Sequence, residues 1–344
     1  MKRVVLVGCG VLLGALVACG PTLHSGPDSG AAPGPDGALA LGDAVSFYPD
    51  GAVFPQPDGA VFPQPDGAAP GPDAAAPGPD AAAPGPDAGG PISGPGTNVV
   101  WLSYGAQNAQ TDSSWGPVLT DIVQHCPSAW VNIYWDADKV THGHETSHGI
   151  HANLRNNYNN TGGPANGFYV LWDQAAIVAE PNIWIHDVAP YVPQALRGFR
   201  YSLYLLNSPS WDDTPLYVWD EWNAYTNGTE VAVNLANAGM WSYGWRDACM
   251  GTVEFVVYAI AVGMAARDLD STYFTGYPQF TEFMAWNLRR SLDLFRACRV
   301  ISDFAWTDQD VYYNELQTGA SAAPFRQFLV QTYCQPFVTD VLDL

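Results

Sequence analysis

From residue 98 onward the apolar positions follow two rhythms, and before that they follow neither. "NVVWLSYG" and "AWVNIYWDAD" set apolar side chains in short alternating runs bounded by Gly, Asn and Asp, the pattern of half-buried β-strands. "NGFYVLWDQAAIVAEPN" reads as a further strand or a hairpin. After about residue 187 the period lengthens, and helices are predicted over 192–206, 216–225, 246–268, 280–301 and 322–334. Within the third, 255–266 is apolar all round. That run falls short of the roughly 20 residues that cross a bilayer, so a buried core helix is expected. The predicted architecture is α+β, a small sheet followed by a mainly helical half, carried by residues 97–344.

Residues 20–96 have a different texture. They repeat "PDGAVFPQPDGAVFPQPDGA" and then "APGPDAAAPGPDAAAPGPDA". Proline removes backbone donors, glycine raises the entropic cost of ordering, and spaced aspartates keep the segment wet, so a disordered tether is expected. Ahead of it, "MKRVVLVGCGVLLGALVACG" has a positive start at Lys2 and Arg3, an apolar run and small residues before Cys19, the build of an export signal. The tetrad Leu16-Val17-Ala18-Cys19 resembles the lipobox of bacterial lipoproteins. That resemblance implies that residues 1–19 are a lipoprotein signal peptide, with lipidation at Cys19 and attachment to a membrane. Gly20, where inner-membrane lipoproteins often carry aspartate, implies the outer membrane.

Charge narrows the partners. Residues 97–344 hold 11 Lys+Arg against 25 Asp+Glu, a difference of −14. Such a surface repels phosphate backbones, so no nucleic-acid partner is expected. Cysteines 126, 249, 298 and 334 are an even set in an exported chain, which suggests two disulfides in any of three pairings. None is spaced as a structural zinc knot.

"THGHETSHGIHANLRNN", residues 141–157, gathers four of the seven histidines. His144, Glu145 and His148 spell H-E-x-x-H. On a helix the two imidazoles lie one turn apart on one face, where both can close on a single zinc ion while Glu145 flanks it. Fewer than about 0.01 such matches are expected by chance in a chain of this kind. Gly143 and Gly149 each weaken the helix by about 1 kcal/mol. Thr146, Ser147 and Gly149 are small enough to let neighbouring elements come close, and Ile150 and Leu154 supply an apolar rear stripe. His151 lies about 10.5 Å along the axis from His144, too far to share the ion, so His151 and His142 are read as pocket-wall or surface residues. The longer H-E-x-x-H-x-x-G-x-x-H pattern is excluded, because His151 holds its glycine place and Leu154 its third histidine place.

A third ligand is sought on another helix. "TPLYVWDEWNAYTNG" offers Glu221 on a short helix that Asn227-Gly228 can terminate, with Trp219 and Trp222 as anchors, Ala224 for close packing and Tyr225 on the same face. Asp220 is the reserve candidate.

With H-E-x-x-H on one helix and a later helical glutamate, the segment from about Trp130 to Tyr225 resembles gluzincin-type zinc metallopeptidases. The resemblance implies a zincin-like fold and zinc held by His144, His148 and Glu221. It also implies that Glu145 is the general base activating water against a peptide carbonyl, with a peptide or protein as substrate. Tyr225 is the candidate for stabilising the oxyanion. Two other readings stand beside it. One is a carbohydrate-active or carbohydrate-binding domain, suited by 13 tryptophans and by acidic pairs such as Asp212-Asp213 and Asp220-Glu221. The other is a non-catalytic surface protein whose helix binds metal for stability.

Overall fold

The computed structural model describes residues 94–207 and 211–344. The export signal, Cys19 and all but the last three residues of the expected tether lie outside the described residues. The architecture is α+β as expected, with a small sheet ahead of a helical region. Strands β1 (Trp101–Ser103), β2 (Ala165–Tyr169) and β3 (Gln174–Ala179) form one antiparallel sheet in the order β1-β3-β2. β2 and β3 are the expected hairpin, with Gly167 opposite Ile177. Its turn carries three successive non-glycine residues at positive φ, Leu171, Trp172 and Asp173. Left-handed backbone costs such residues roughly 1–2 kcal/mol each, and the neighbours hold it in place. Asp121 accepts from the Trp172 N–H at 3.1 Å, and Asp173 pairs with His125 at 2.7 Å.

"AWVNIYWDAD" is not a strand. Residues 128–134 form successive turns after Pro127, with Trp130 N–H bonded to Pro127 O and Ile133 N–H to Trp130 O. No neighbouring strand edge is there to pair with it, and Ile133 and Trp135 stay exposed.

The helices are α1 (Gly116–His125), α2 (Lys139–Asn157), α3 (Ile185–Val188), α4 (Tyr217–Asn237), α5 (Met250–Leu269), α6 (Ser271–Gly276), α7 (Pro278–Cys298), α8 (Thr307–Thr318), α9 (Ala323–Tyr333) and α10 (Gln335–Leu342). α2 starts at Asp138, whose side chain accepts from the Thr141 N–H at 2.8 Å. The helix expected over 192–206 is instead a series of short 3-10 and π turns, because Pro193 takes extended backbone and Gly198 follows five residues later. α5 is long and apolar enough to cross a membrane, yet residues 250–266 are all buried inside the fold, the core helix that its all-round apolar pattern predicts.

α4 runs well past the predicted stop. Asn227 and Gly228 do not end it. Asn227 donates to Ser147 Oγ at 2.9 Å and to Tyr169 O at 3.0 Å, and Gly228 sits where α4 meets α2. Tertiary contact there outweighs the local turn signal.

The rear stripe of α2, Ile150 and Leu154, is buried in a cluster with α1 and the sheet, while α4, α5 and α7 share the larger core. One disulfide, Cys249–Cys298, ties the start of α5 to the end of α7. The expectation of two disulfides is corrected. Cys126 is enclosed in the smaller cluster and Cys334 stands exposed between α9 and α10, so neither has a sulfur to meet.

Candidate metal centre

α2 and α4 cross where both lack side-chain bulk. A Cβ on Gly143 would lie 2.8 Å from Val231 Cγ2, and one on Gly228 would lie 3.0 Å from Val140 O and 3.4 Å from His144 Cβ. The crossing brings the inward face of α2 against the first turns of α4. His144 and His148, one turn apart, point at Glu221. Their Nε2 atoms are 3.0 Å apart, and each lies 3.5 Å from Glu221 Oε2.

Two imidazole nitrogens and a carboxylate oxygen this close together repel unless a proton or a metal ion sits between them. Glu221 is 3 % exposed, and its Oε2 has no hydrogen-bond partner despite both imidazoles nearby. Buried polar atoms rarely stay unpaired. Bonds of about 2.0–2.1 Å in tetrahedral geometry set donor atoms about 3.3–3.4 Å apart, and the sides of this triangle fall around that value. The residues therefore fit a metal ion, and His144, His148 and Glu221 can hold one.

Proton placement supports the same conclusion. Asp220 Oδ1 accepts from His148 Nδ1 at 2.6 Å and from His151 Nδ1 at 2.8 Å. A carboxylate is acceptor-only, so His148 carries hydrogen on Nδ1 and turns Nε2 toward His144. This is how carboxylates orient ligating imidazoles. Asn223 Nδ2 donates to His151 Nε2 at 2.9 Å, which leaves His151 neutral with its hydrogen on Nδ1. Burial disfavours charge on His148, but Glu221 and Asp220 outweigh it and hold its pKa well above the usual histidine value. His144 is pushed well below that value, by burial first and by His148 next. Burial would raise the Asp220 carboxyl, yet His151 and His148 reverse this and hold it below the usual range.

Glu145 occupies a different position from Glu221. Its side chain is 43 % exposed, and Oε1 lies 4.0 Å from His144 Nε2, beside the triangle rather than in it. Partial desolvation raises its pKa, opposed by His148. Tyr225 meets His144 edge-on, with ring centroids 4.4 Å apart. Its hydroxyl accepts from Arg200 Nε at 3.0 Å and lies 3.5 Å from the Tyr204 hydroxyl. Burial raises the phenol pKa and Arg200 opposes the rise.

The remaining candidates fall elsewhere. Asp220, the reserve ligand by sequence, lies on the far side of His148 and binds Nδ1, not the convergent atoms. His142 and His151 are both fully buried, not surface residues. His142 packs against Trp115 and Trp135, and burial lowers its pKa to about 4. Trp219 and Trp222 are core residues, and Asp212 pairs with the exposed His186. Sequence reasoning missed the orienting part of Asp220 and His151. The three-residue spacing of His148 and His151, which puts both on one helix face, was the available signal. Arg200 carried no signal, because the turns that place it were read as helix. No family model, curated protein or solved structure matches this chain.

Proposed function

We propose that this protein is a zinc-dependent peptide hydrolase working at His144, His148 and Glu221. The observation that carries the reading is the largely buried triangle of His144 Nε2, His148 Nε2 and Glu221 Oε2 with a half-open carboxylate, Glu145, beside it. Two nitrogens and one carboxylate oxygen at tetrahedral spacing are the donor set of catalytic zinc sites. Bound zinc supplies a Lewis acid that polarises a carbonyl and acidifies water. Glu145, in reach of solvent with a raised pKa, takes the proton from the attacking water and returns it to the leaving amine nitrogen. Arg200 occupies a lone pair of the Tyr225 oxygen, which leaves the phenol proton for donation to a substrate oxygen that gains charge.

Metal analysis of the purified chain, followed by hydrolysis of a peptide mixture by the parent and by Glu145→Gln, tests this. One zinc per chain and a fall of about 10² to 10⁴ in rate with zinc retained are expected. Equal cleavage by both, or no bound metal, overturns it. Hydrolysis absent from both while chelation lowers Tm would instead support the non-catalytic metal-binding reading.

The proposed location rests on the first 19 residues. Cys19→Ser should move the protein out of the membrane fraction, and unchanged partition in that variant would remove the lipid anchor from the account.

A further inference from the structure

A cavity of about 610 Å³ lies one side chain away from the metal centre, between the 195–200 segment, the start of α5 and α8. Tyr225 separates the two. Its ring meets His144, and its hydroxyl takes a hydrogen bond from Arg200, which lines the cavity.

Four carboxylates line this space, Asp247, Glu254, Asp308 and Glu315, against the single cation Arg200. Arg200 is already engaged, with NH1 on Glu254 Oε2 at 2.8 Å and NH2 on Asp247 Oδ2 at 3.3 Å. Asp308 and Glu315 have no cationic partner among the described ion pairs. Glu254 has no exposed surface, and its Oε1 has no hydrogen-bond donor. Gly198 keeps that oxygen at the wall, since a Cβ there would lie 1.8 Å from it. The walls are apolar at Phe199, Trp306 and Val311, of which Phe199 and Val311 are largely exposed.

Apolar walls with surplus negative charge suit a side chain that has an aliphatic stem and a cationic head. We propose that this cavity binds the Lys or Arg side chain of a peptide substrate next to the bond being cleaved. This rests on the peptide-hydrolase reading above. An acidic side chain would meet a net charge of three negatives, and a short neutral one would leave the exposed Phe199 ring uncovered. The deficit of 14 positive charges across residues 97–344 acts in the same direction, drawing basic peptides toward the domain.

The test is calorimetric titration of the zinc-loaded Glu145→Gln protein with acetyl-Ala-Ala-X-Ala-Ala-amide, where X is Arg, Lys, norleucine or Glu. Arg and Lys peptides should bind on the order of tenfold tighter than norleucine, the size of one well-placed charge contact. The double variant Asp308→Asn, Glu315→Gln should remove that preference and leave norleucine binding unchanged, which also reports that the fold is intact. Equal affinity for Arg and norleucine, including no measurable binding of either, overturns the proposal. So does a preference that survives the double substitution. A basic preference in binding without cleavage of any peptide by the parent would sink the hydrolase reading and leave the cavity assignment standing.

Discussion

Two clusters meet at His148, and they differ in how their hydrogen bonds close. In front, His144 Nε2, His148 Nε2 and Glu221 Oε2 converge, and Glu221 Oε2 has no hydrogen-bond partner. Behind, His148, His151 and Asp220 lie equally close, but every contact joins a donor to an acceptor, and Asn223 and Arg155 close the ring. Both have the residue types and spacing of a metal site. Only the front one leaves a buried carboxylate oxygen without a hydrogen-bond partner, which makes it the stronger candidate for a metal ion. Proximity of ligand-type residues does not by itself mark a metal centre; the unmet demand for a cation does.

The largest break in this contrast should come at the front. Glu221→Ala removes one of three convergent atoms, and zinc affinity is expected to fall more than 100-fold, beyond the range seen for orienting partners. Asp220→Asn leaves all three atoms present but unpins His148, and a loss of about 10 to 100-fold is expected in the same competitive titration. If Asp220→Asn costs more than Glu221→Ala, the two clusters have been assigned the wrong way round.

His151→Gln reaches the metal only through Asp220. Less than a tenfold change in zinc affinity is expected, with a loss of about 1–3 kcal/mol in unfolding free energy because Asp220 and Asn223 lose a shared partner. A zinc defect as large as that of Asp220→Asn would make His151 part of the site.

The effect farthest from the front cluster concerns pH. Glu180 lies behind the rear cluster, where its Oε2 accepts from the Leu216 N–H at 2.9 Å just before α4. Burial pushes its carboxyl up to about 8 from an ordinary value of 4.5. The folded state thus holds this proton more tightly than the unfolded chain. The associated stability is full below about 4.5 and is lost as pH rises through about 8. Tm of the metal-free protein should therefore drift down between pH 5 and 8, and Glu180→Gln should flatten that drift. An identical slope in the variant would place the titration elsewhere.

Much of the front cluster was legible before any coordinates. H-E-x-x-H is a local pattern, and helix geometry alone sets His144 and His148 on one face. Glu221 was reached through its tryptophan anchors, and both Trp219 and Trp222 are indeed buried. The hairpin of β2 and β3 and the buried α5 also followed from period and composition. The failures differ in cause. Asn227-Gly228 reads as a helix end, "AWVNIYWDAD" as a strand and 192–206 as a helix. A contact of Asn227 and Gly228 with α2 and the sheet overrode the first signal, while Pro193 and Gly198 broke the 192–206 pattern locally.

The sequence by itself determined what repeats at short range: helix faces, strand alternation and the spacing of two imidazoles. Tertiary structure alone decided which carboxylate faces which nitrogen. Asp220 and Glu221 are adjacent in the chain and about 100° apart around α4; the neighbours of Glu221 in that helix favour it, but only the crossing with α2 fixes the ranking. The ranking comes from Gly143 and Gly228, 85 residues apart in sequence. Their missing side chains let α2 and α4 close together in the register that gives Glu221 both Nε2 atoms and gives Asp220 the Nδ1 side of His148.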